Sequence, residues 1–153
     1  MAARTAHPYA DTDVIDSRAP RVNQAFVGSL ALLAFATGAE WLVALLAIQL
    51  IAGLALGRRW CLPCVTYFEL IQPRFGEGQL EDARPPRFAN VIGAAVLTAA
   101  AVAFTAGLPV IGWSLALLVA SLALLAAVSG LCLGCQIYLW IARARRVDPR
   151  SPA

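Results

Sequence analysis

The chain has 153 residues, of which 60% are hydrophobic and 14% charged, and its mean hydropathy is +0.72. Soluble domains are about 45–50% apolar, so this composition argues against an ordinary soluble core. The net charge of +3, with arginine as the only basic residue apart from one histidine, is too small to indicate a nucleic-acid binder, and no RNA-recognition, zinc-finger or lysine-rich pattern is present.

From the N-terminus, MAARTAHPYADTDVIDSRAP has no apolar h-region and does not read as a signal peptide. Residues 1–15 are expected to form a mobile cytoplasmic tail. Four apolar segments follow, at residues 22–38, 41–57, 88–107 and 111–130. About 20 helical residues cross a ~30 Å hydrocarbon core. The first two segments are slightly short for that, and a thinned bilayer or flanking residues would accommodate them. Nothing alternates with period two, and alanine and leucine dominate, so the spans read as helices. Residues 65–75 mix apolar side chains with Glu69, Gln72 and Arg74 and predict a short interfacial amphipathic helix. Residues 76–85 read as a polar loop.

The expected fold is therefore an all-α integral membrane protein. It has four transmembrane helices arranged as two parallel hairpin repeats, plus the short interfacial helix. Residues 16–146 form one membrane domain, with repeat one at 16–75, repeat two at 84–146 and a C-terminal tail at 147–153. Pro20-Arg21 opens the first hairpin and Pro86-Arg87 the second. Both prolines suit the first helical position, and Ser17 or Asp16 suits the cap before the first helix. Gly53 and Gly57, like Gly130 and Gly134, are four apart and allow close helix contact. The turns at Gly38–Trp41 and Gly107–Trp113 carry no arginine, whereas Arg18, Arg21, Arg58, Arg59, Arg84 and Arg87 flank the other ends. The positive-inside rule then puts both termini and the central loop in the cytoplasm, with the protein in the plasma (inner) membrane.

All four cysteines lie in two matching stretches, CLPCVTY from Cys61 and CLGCQIY from Cys132. Arg58 and Arg59 precede the first pair, and nearby positive charge lowers a thiol pKa. Pro63 places Cys61 just before a helix N-terminus, whose dipole stabilises a thiolate. Cys61 is thus the expected nucleophile and Cys64 the resolving partner. In the second pair the fourth helix is expected to run on through Gly134. That would leave Cys132 and Cys135 about 5–6 Å apart at Cβ, wide of disulfide geometry unless Gly134 kinks.

Several readings stay open. The leading one is cytoplasm-facing thiol–disulfide redox at Cys61, Cys64, Cys132 and Cys135. Its partner would be a thioredoxin-like or sulfur-handling protein, or a quinone. The same four thiolates could instead hold zinc, copper or an iron–sulfur cluster in a non-enzymatic membrane module. Plain packing as small hydrophobes and a static disulfide across the repeats complete the set. The cofactor is left unknown. No Ser/His/Asp set, phosphate loop or paired-carboxylate site supports a hydrolase or kinase.

With these residues in view, the chain resembles the domain of unknown function 4395 family of small bacterial membrane proteins. The residues that carry this are Asp16-Ser17-Arg18-Ala19-Pro20-Arg21 with Asn23-Gln24, then Pro86-Arg87-Phe88, then Cys132-Leu133-Gly134-Cys135 with Tyr138-Leu139. The resemblance covers roughly residues 16–146. It implies a small membrane protein and no particular activity. At fold level alone, four membrane helices with C-x-x-C pairs are also similar to quinone-linked disulfide-forming enzymes, whose working cysteines face outward. Of the remaining polar residues, Gln49 reads as an interhelical hydrogen bond or a cavity marker. Tyr67 and Tyr138 read as interfacial anchors or seals of the thiol sites. His7 is assigned nothing.

Overall fold

A computed structural model describes residues 7–146. Residues 1–6 of the expected N-terminal tail and the whole expected C-terminal tail, residues 147–153, lie outside the described residues. A short strand β1 (Val14–Asp16) leads into α1 (Arg18–Thr37), which ends at Gly38. Gly38 has φ +67 and returns its N–H to Ala34 and Phe35 carbonyls, a stop that suits glycine. Helix α2 (Glu40–Ala55) follows almost at once. A 3-10 turn (Arg58–Trp60) connects it to α3 (Leu62–Thr66), a π-helical turn (Tyr67–Ile71) and α4 (Gln72–Phe75). Strand β2 (Leu80–Asp82) then precedes α5 (Arg84–Thr105), α6 (Pro109–Ser129) and α7 (Leu133–Arg146).

The connections α1–α2 and α5–α6 are two and three residues long, short enough to make antiparallel hairpins. Helix α1 packs most extensively on α6, and α2 on α5, with α5–α6 and α1–α2 contacts between them. The seam is built largely of alanine: Ala31, Ala34, Ala47, Ala94, Ala100, Ala116 and Ala120 lie buried with Val43, Leu46 and Leu97. Small side chains let backbones approach closely. A Cβ on Gly28 would lie 2.7 Å from Leu124, and one on Gly112 would lie 2.5 Å from the Phe104 ring.

The outward faces are apolar as well. Leu32, Leu45, Ile48, Val102, Leu118 and Leu125 are exposed. Among the described residues two helices, α5 and α6, are long and apolar enough to cross a membrane, with 22 and 21 residues and mean hydropathies of 1.9 and 2.3. The other two expected spans fall short for different reasons. Helix α2 is apolar, but its 16 residues rise only about 24 Å. Helix α1 has 20 residues, but its N-terminal turns carry Arg18, Arg21, Asn23 and Gln24.

The expectation that the fourth helix runs on through the second cysteine pair is corrected. Helix α6 ends at Gly130, which has φ +74, and α7 is a separate element. The prolines are also displaced from the first helical position. Pro20 and Pro86 are third residues of their helices, still within the first turn, where no intrahelical N–H is lost. The interfacial helix is longer than expected, running from Leu62 to Phe75 in three pieces. Tyr67 and Phe68 bury against Ala19 instead of facing outward.

The segments read as tail and loop form a two-stranded antiparallel ladder, with Ile15 opposite Glu81. Its hydrogen bonds come in matching pairs whose residue numbers differ by 66. Ser17 N–H donates to Gln79 O, and Ala83 N–H to Asp13 O, both at 2.9 Å. Asp16 Oδ1 accepts from Arg18 N–H at 3.0 Å, and Asp82 Oδ1 from Arg84 N–H at 2.9 Å. Each aspartate therefore caps the helix that follows it.

Asp16 does more than cap. It is buried, and its Oδ2 accepts from the Tyr67 hydroxyl at 2.8 Å, Gly78 N–H at 2.8 Å and Gln72 Nε2 at 3.4 Å. Burial alone would raise its pKa, but the four donors together hold it below the usual carboxylate value. Burial, and then Asp16, push the Tyr67 hydroxyl well above its ordinary range, so it stays a donor.

Arg58 performs the same kind of service with the opposite charge. Its Nη1 donates to Pro8 and Asp11 carbonyls at 2.9 and 3.0 Å, and its Nη2 to Thr12 and Val14 carbonyls at 2.9 and 2.8 Å. From His7 onward the expected mobile tail is thus strapped down.

Because the folded-state pKa of Asp16 is lowered, its stabilisation is complete above the unfolded value of about 3.9. It is lost as pH falls through the folded value. Denaturant unfolding followed by tryptophan fluorescence is expected to show stability dropping below pH 4. Asp16→Asn should flatten that acid limb and cost about 2–3 kcal/mol at neutral pH. Arg58→Ala removes four charge-assisted bonds. Limited proteolysis should then cut within residues 8–14 at least about tenfold faster than in the unmodified protein, a change equivalent to about 1.4 kcal/mol.

Candidate functional site: two cysteine pairs at separate cavities

Cys61 has extended backbone (φ −93, ψ 101) and is the N-cap residue of α3, with Pro63 inside the first turn. Its carbonyl accepts from Val65 N–H at 2.9 Å. Cys64 lies one turn on, and the two are joined as a disulfide with Cα atoms 5.1 Å apart, within the usual disulfide range. Cys61 is buried and Cys64 half-buried. Space for Cys61 comes from Gly53 of α2, where an added Cβ would sit 3.1 Å from Cys61 Cβ.

The disulfide lines a cavity of about 140 Å³ whose polar wall is Asn23, Gln49, Arg58, Arg87 and Asn90. Ile15, Leu50 and Leu54 supply apolar wall. Among the described residues no carboxylate lines it. Asn23 is buried, and its Nδ2 donates to Asn90 Oδ1 at 3.1 Å. Asn23 Oδ1 lies 3.9 Å from Cys61 Sγ. A disulfide sulfur carries no proton, so this contact becomes a hydrogen bond once Cys61 is reduced. Gln49 Nε2 donates to Trp60 O at 3.2 Å, in the 3-10 turn after its own helix and not in another helix, and Gln49 also lines the cavity. Arg87 Nη2 reaches Leu54 O at 3.4 Å. Burial and the neighbouring Arg87 together pull the Arg58 guanidinium below its ordinary value, which places two cations near one another.

Cys132 and Cys135 straddle the start of α7 and are free thiols, both half-buried. Cys135 N–H donates to Cys132 Sγ at 3.3 Å. The Cys135 thiol donates to the same sulfur, which lowers the Cys132 pKa, and backbone N–H groups add to this against the effect of burial. The same hydrogen bond and burial push Cys135 up. Cys132 is therefore the more acidic thiol of this pair. Gly134 lets α7 touch α5, since a Cβ there would lie 2.7 Å from Ala89 Cβ. This pair lines a cavity of about 290 Å³ with Arg21, Gln24, Glu81, Asp82 and Gln136. Cys132 also borders a space of about 160 Å³ faced by Leu118 and Leu122.

The structure thus pairs Cys61 with Cys64 and Cys132 with Cys135, and it does not gather all four. None of these cavities is lined by cysteines of both pairs. Among the described residues no group of three or more His, Cys, Asp or Glu is placed to hold a metal ion. The small residues expected to bring helices together divide by role. Gly53 and Gly134 allow close approach, whereas Gly57 and Gly130 take positive φ at turns. Tyr138 stacks on Phe88 at 5.6 Å between ring centres. Residue-level reading did not find the Asn23–Asn90 pair or the role of Arg87. The signal was available, since two asparagines near the starts of apolar helices need partners.

Comparison with curated proteins and with solved structures finds no match. The family comparison does find one: residues 15–143 match the model described as Domain of unknown function (DUF4395), and the chain belongs to that family.

Proposed function

We propose that the protein is a thiol–disulfide redox protein of the bacterial plasma membrane, with its C-x-x-C pairs at the cytoplasmic face. The observation that carries this reading is the bonded Cys61–Cys64 pair at the start of a helix and on the wall of a cavity. A permanent structural disulfide is disfavoured in a reducing cytosol, so a bonded pair there is a working couple. The couple exchanges two electrons with a thioredoxin-like or sulfur-handling protein, or with a quinone in the bilayer. The redox reading is favoured over a shared four-cysteine metal site because the two pairs line different cavities.

Four membrane crossings are part of the proposal. Helices α1 and α2 pair with α6 and α5, the two candidate spans, and present leucine and isoleucine outward as those spans do. The repeat reading draws support from the matched bonds of Asp16 and Asp82, and of Ser17 and Ala83. Both cysteine pairs then lie at the arginine-rich ends of the helices, which the positive-inside rule assigns to the cytoplasm with both termini.

Acid quench and alkylation of intact cells, before and after a brief oxidant pulse, tests the redox reading. Mass measurement is expected to show reversible protection of Cys61 with Cys64, and of Cys132 with Cys135, each as a pair. Thiols that stay reduced at all four positions through the pulse would overturn it.

A further inference from the structure

We infer that the cavity beside Cys61 and Cys64 is a substrate site for a small organic disulfide or thiol that carries a carboxylate. This rests on the redox reading above and specifies its substrate class. Three observations carry it. The first is size. About 140 Å³ is well below the ~300–1,000 Å³ of drug-sized pockets, so the site takes a molecule of few atoms and not a protein segment.

The second is charge. Arg87 and Arg58 both line the cavity and, among the described residues, no carboxylate does. Arg58 spends its donors on the carbonyls of the N-terminal strap. Arg87 makes only a long bond to Leu54 O, and among the described residues it forms no ion pair. A guanidinium in this position, with fork donors to spare, suits a carboxylate. Asn90 gives its amide oxygen to Asn23, so its amide N–H groups remain as donors at the same wall.

The third is the placement of the sulfurs. Cys64 is half-buried and Cys61 buried, with Asn23 Oδ1 beside the latter. This assigns their roles in the order opposite to that expected from the sequence. A substrate thiolate RS⁻ attacks Cys64 Sγ, and the Cys61–Cys64 bond breaks. Cys61 leaves as a thiolate, takes up a proton and donates its S–H to Asn23 Oδ1. A second RS⁻ then attacks the substrate sulfur of the mixed disulfide, releasing RS–SR and the Cys64 thiolate, which is protonated. Two electrons pass from two RSH to the protein disulfide. The reverse reaction oxidises the protein dithiol with RS–SR.

The second cavity supplies a contrast within the same molecule. Arg21 there faces Glu81 and Asp82 as well as the thiols, so its surroundings do not select for an anion.

The test uses the full-length protein in detergent with its thiols reduced, and two small disulfides of similar size and opposite charge, 3,3′-dithiodipropionate and cystamine. Peptide mass analysis reads oxidation at each pair, and each rate is divided by that of the urea-unfolded protein to remove intrinsic reactivity. The anionic reagent is expected to oxidise Cys61 and Cys64 at least tenfold faster than the cationic one, and Cys132 and Cys135 to lack this preference. Arg87→Gln should reduce the preference to threefold or less and Arg87→Lys should restore part of it, with circular dichroism and Cys132 alkylation checking that the fold is kept. Equal normalised rates in the unmodified protein, or a preference that survives Arg87→Gln, would overturn the inference while leaving the redox reading standing. Failure of both reagents to oxidise Cys61 and Cys64 would remove the redox reading and this inference together.

Discussion

A carboxylate taken out of water must be surrounded by donors, and Asp16 meets that demand by drawing two distant segments onto itself and onto the helix it opens. Its side chain receives hydrogen bonds from the helix it opens, from Tyr67 and Gln72 after the first cysteine pair, and from Gly78 in the approach to the second strand. Burying a charged group without such partners costs several kcal/mol or more. The demand is strong enough that Gln72 turns its amide nitrogen to Asp16 and leaves its buried Oε1 without a partner among the described residues. The space is equally constrained, since a side chain on Gly78 would collide with the Asp16 carboxylate. With Asp16 in place, the start of α1 is set, and Ala19 and Asn23 fall beside Tyr67 and Cys61.

The hydrophobic part of the molecule is organised on a different principle. In water, helices associate by hiding leucine and isoleucine. Here many of those residues face outward, and alanine and glycine form the contact surfaces. That inversion fits packing driven by close backbone approach and dispersion, as between helices surrounded by lipid. It also sets the cysteine sites. Gly53 admits Cys61 against α2, and Gly134 admits α7 against α5. Each thiol pair therefore sits where a glycine has allowed two backbones to come together, close to a glycine with positive φ that ends the preceding helix or turn.

The two pairs differ because their local chains differ. Helix α3 begins directly after Cys61, with Pro63 in its first turn, and Cys64 lies within bonding reach of Cys61. At the second pair the break comes earlier, at Gly130, so Cys132 sits before α7 and accepts hydrogen bonds from Cys135 without bonding to it. The electrostatic settings diverge too, with arginines and amides around the first pair and Glu81 and Asp82 beside the second.

Hydropathy and punctuation in the sequence determined the helices on their own. The four apolar segments, the stop at Gly38 and the helix start after Cys61 follow from local propensity and from the φ that glycine and proline permit, whereas the break at Gly130 ended a helix expected to run on. The C-x-x-C spacing likewise marked the chemically active residues without reference to any contact. Tertiary structure alone decided what depends on partners remote in the chain. Strand pairing between residues 14–16 and 80–82 joins two three-residue stretches too short to carry an alternation, so no pattern announced it. Arg58 reads in the sequence as a topology charge. It becomes a clamp only because four carbonyls some 44–50 residues earlier converge on it. Whether four cysteines make one site or two is a matter of where α3 and α7 dock. Residue spacing does not encode that, because docking is set by the shapes of the faces that meet.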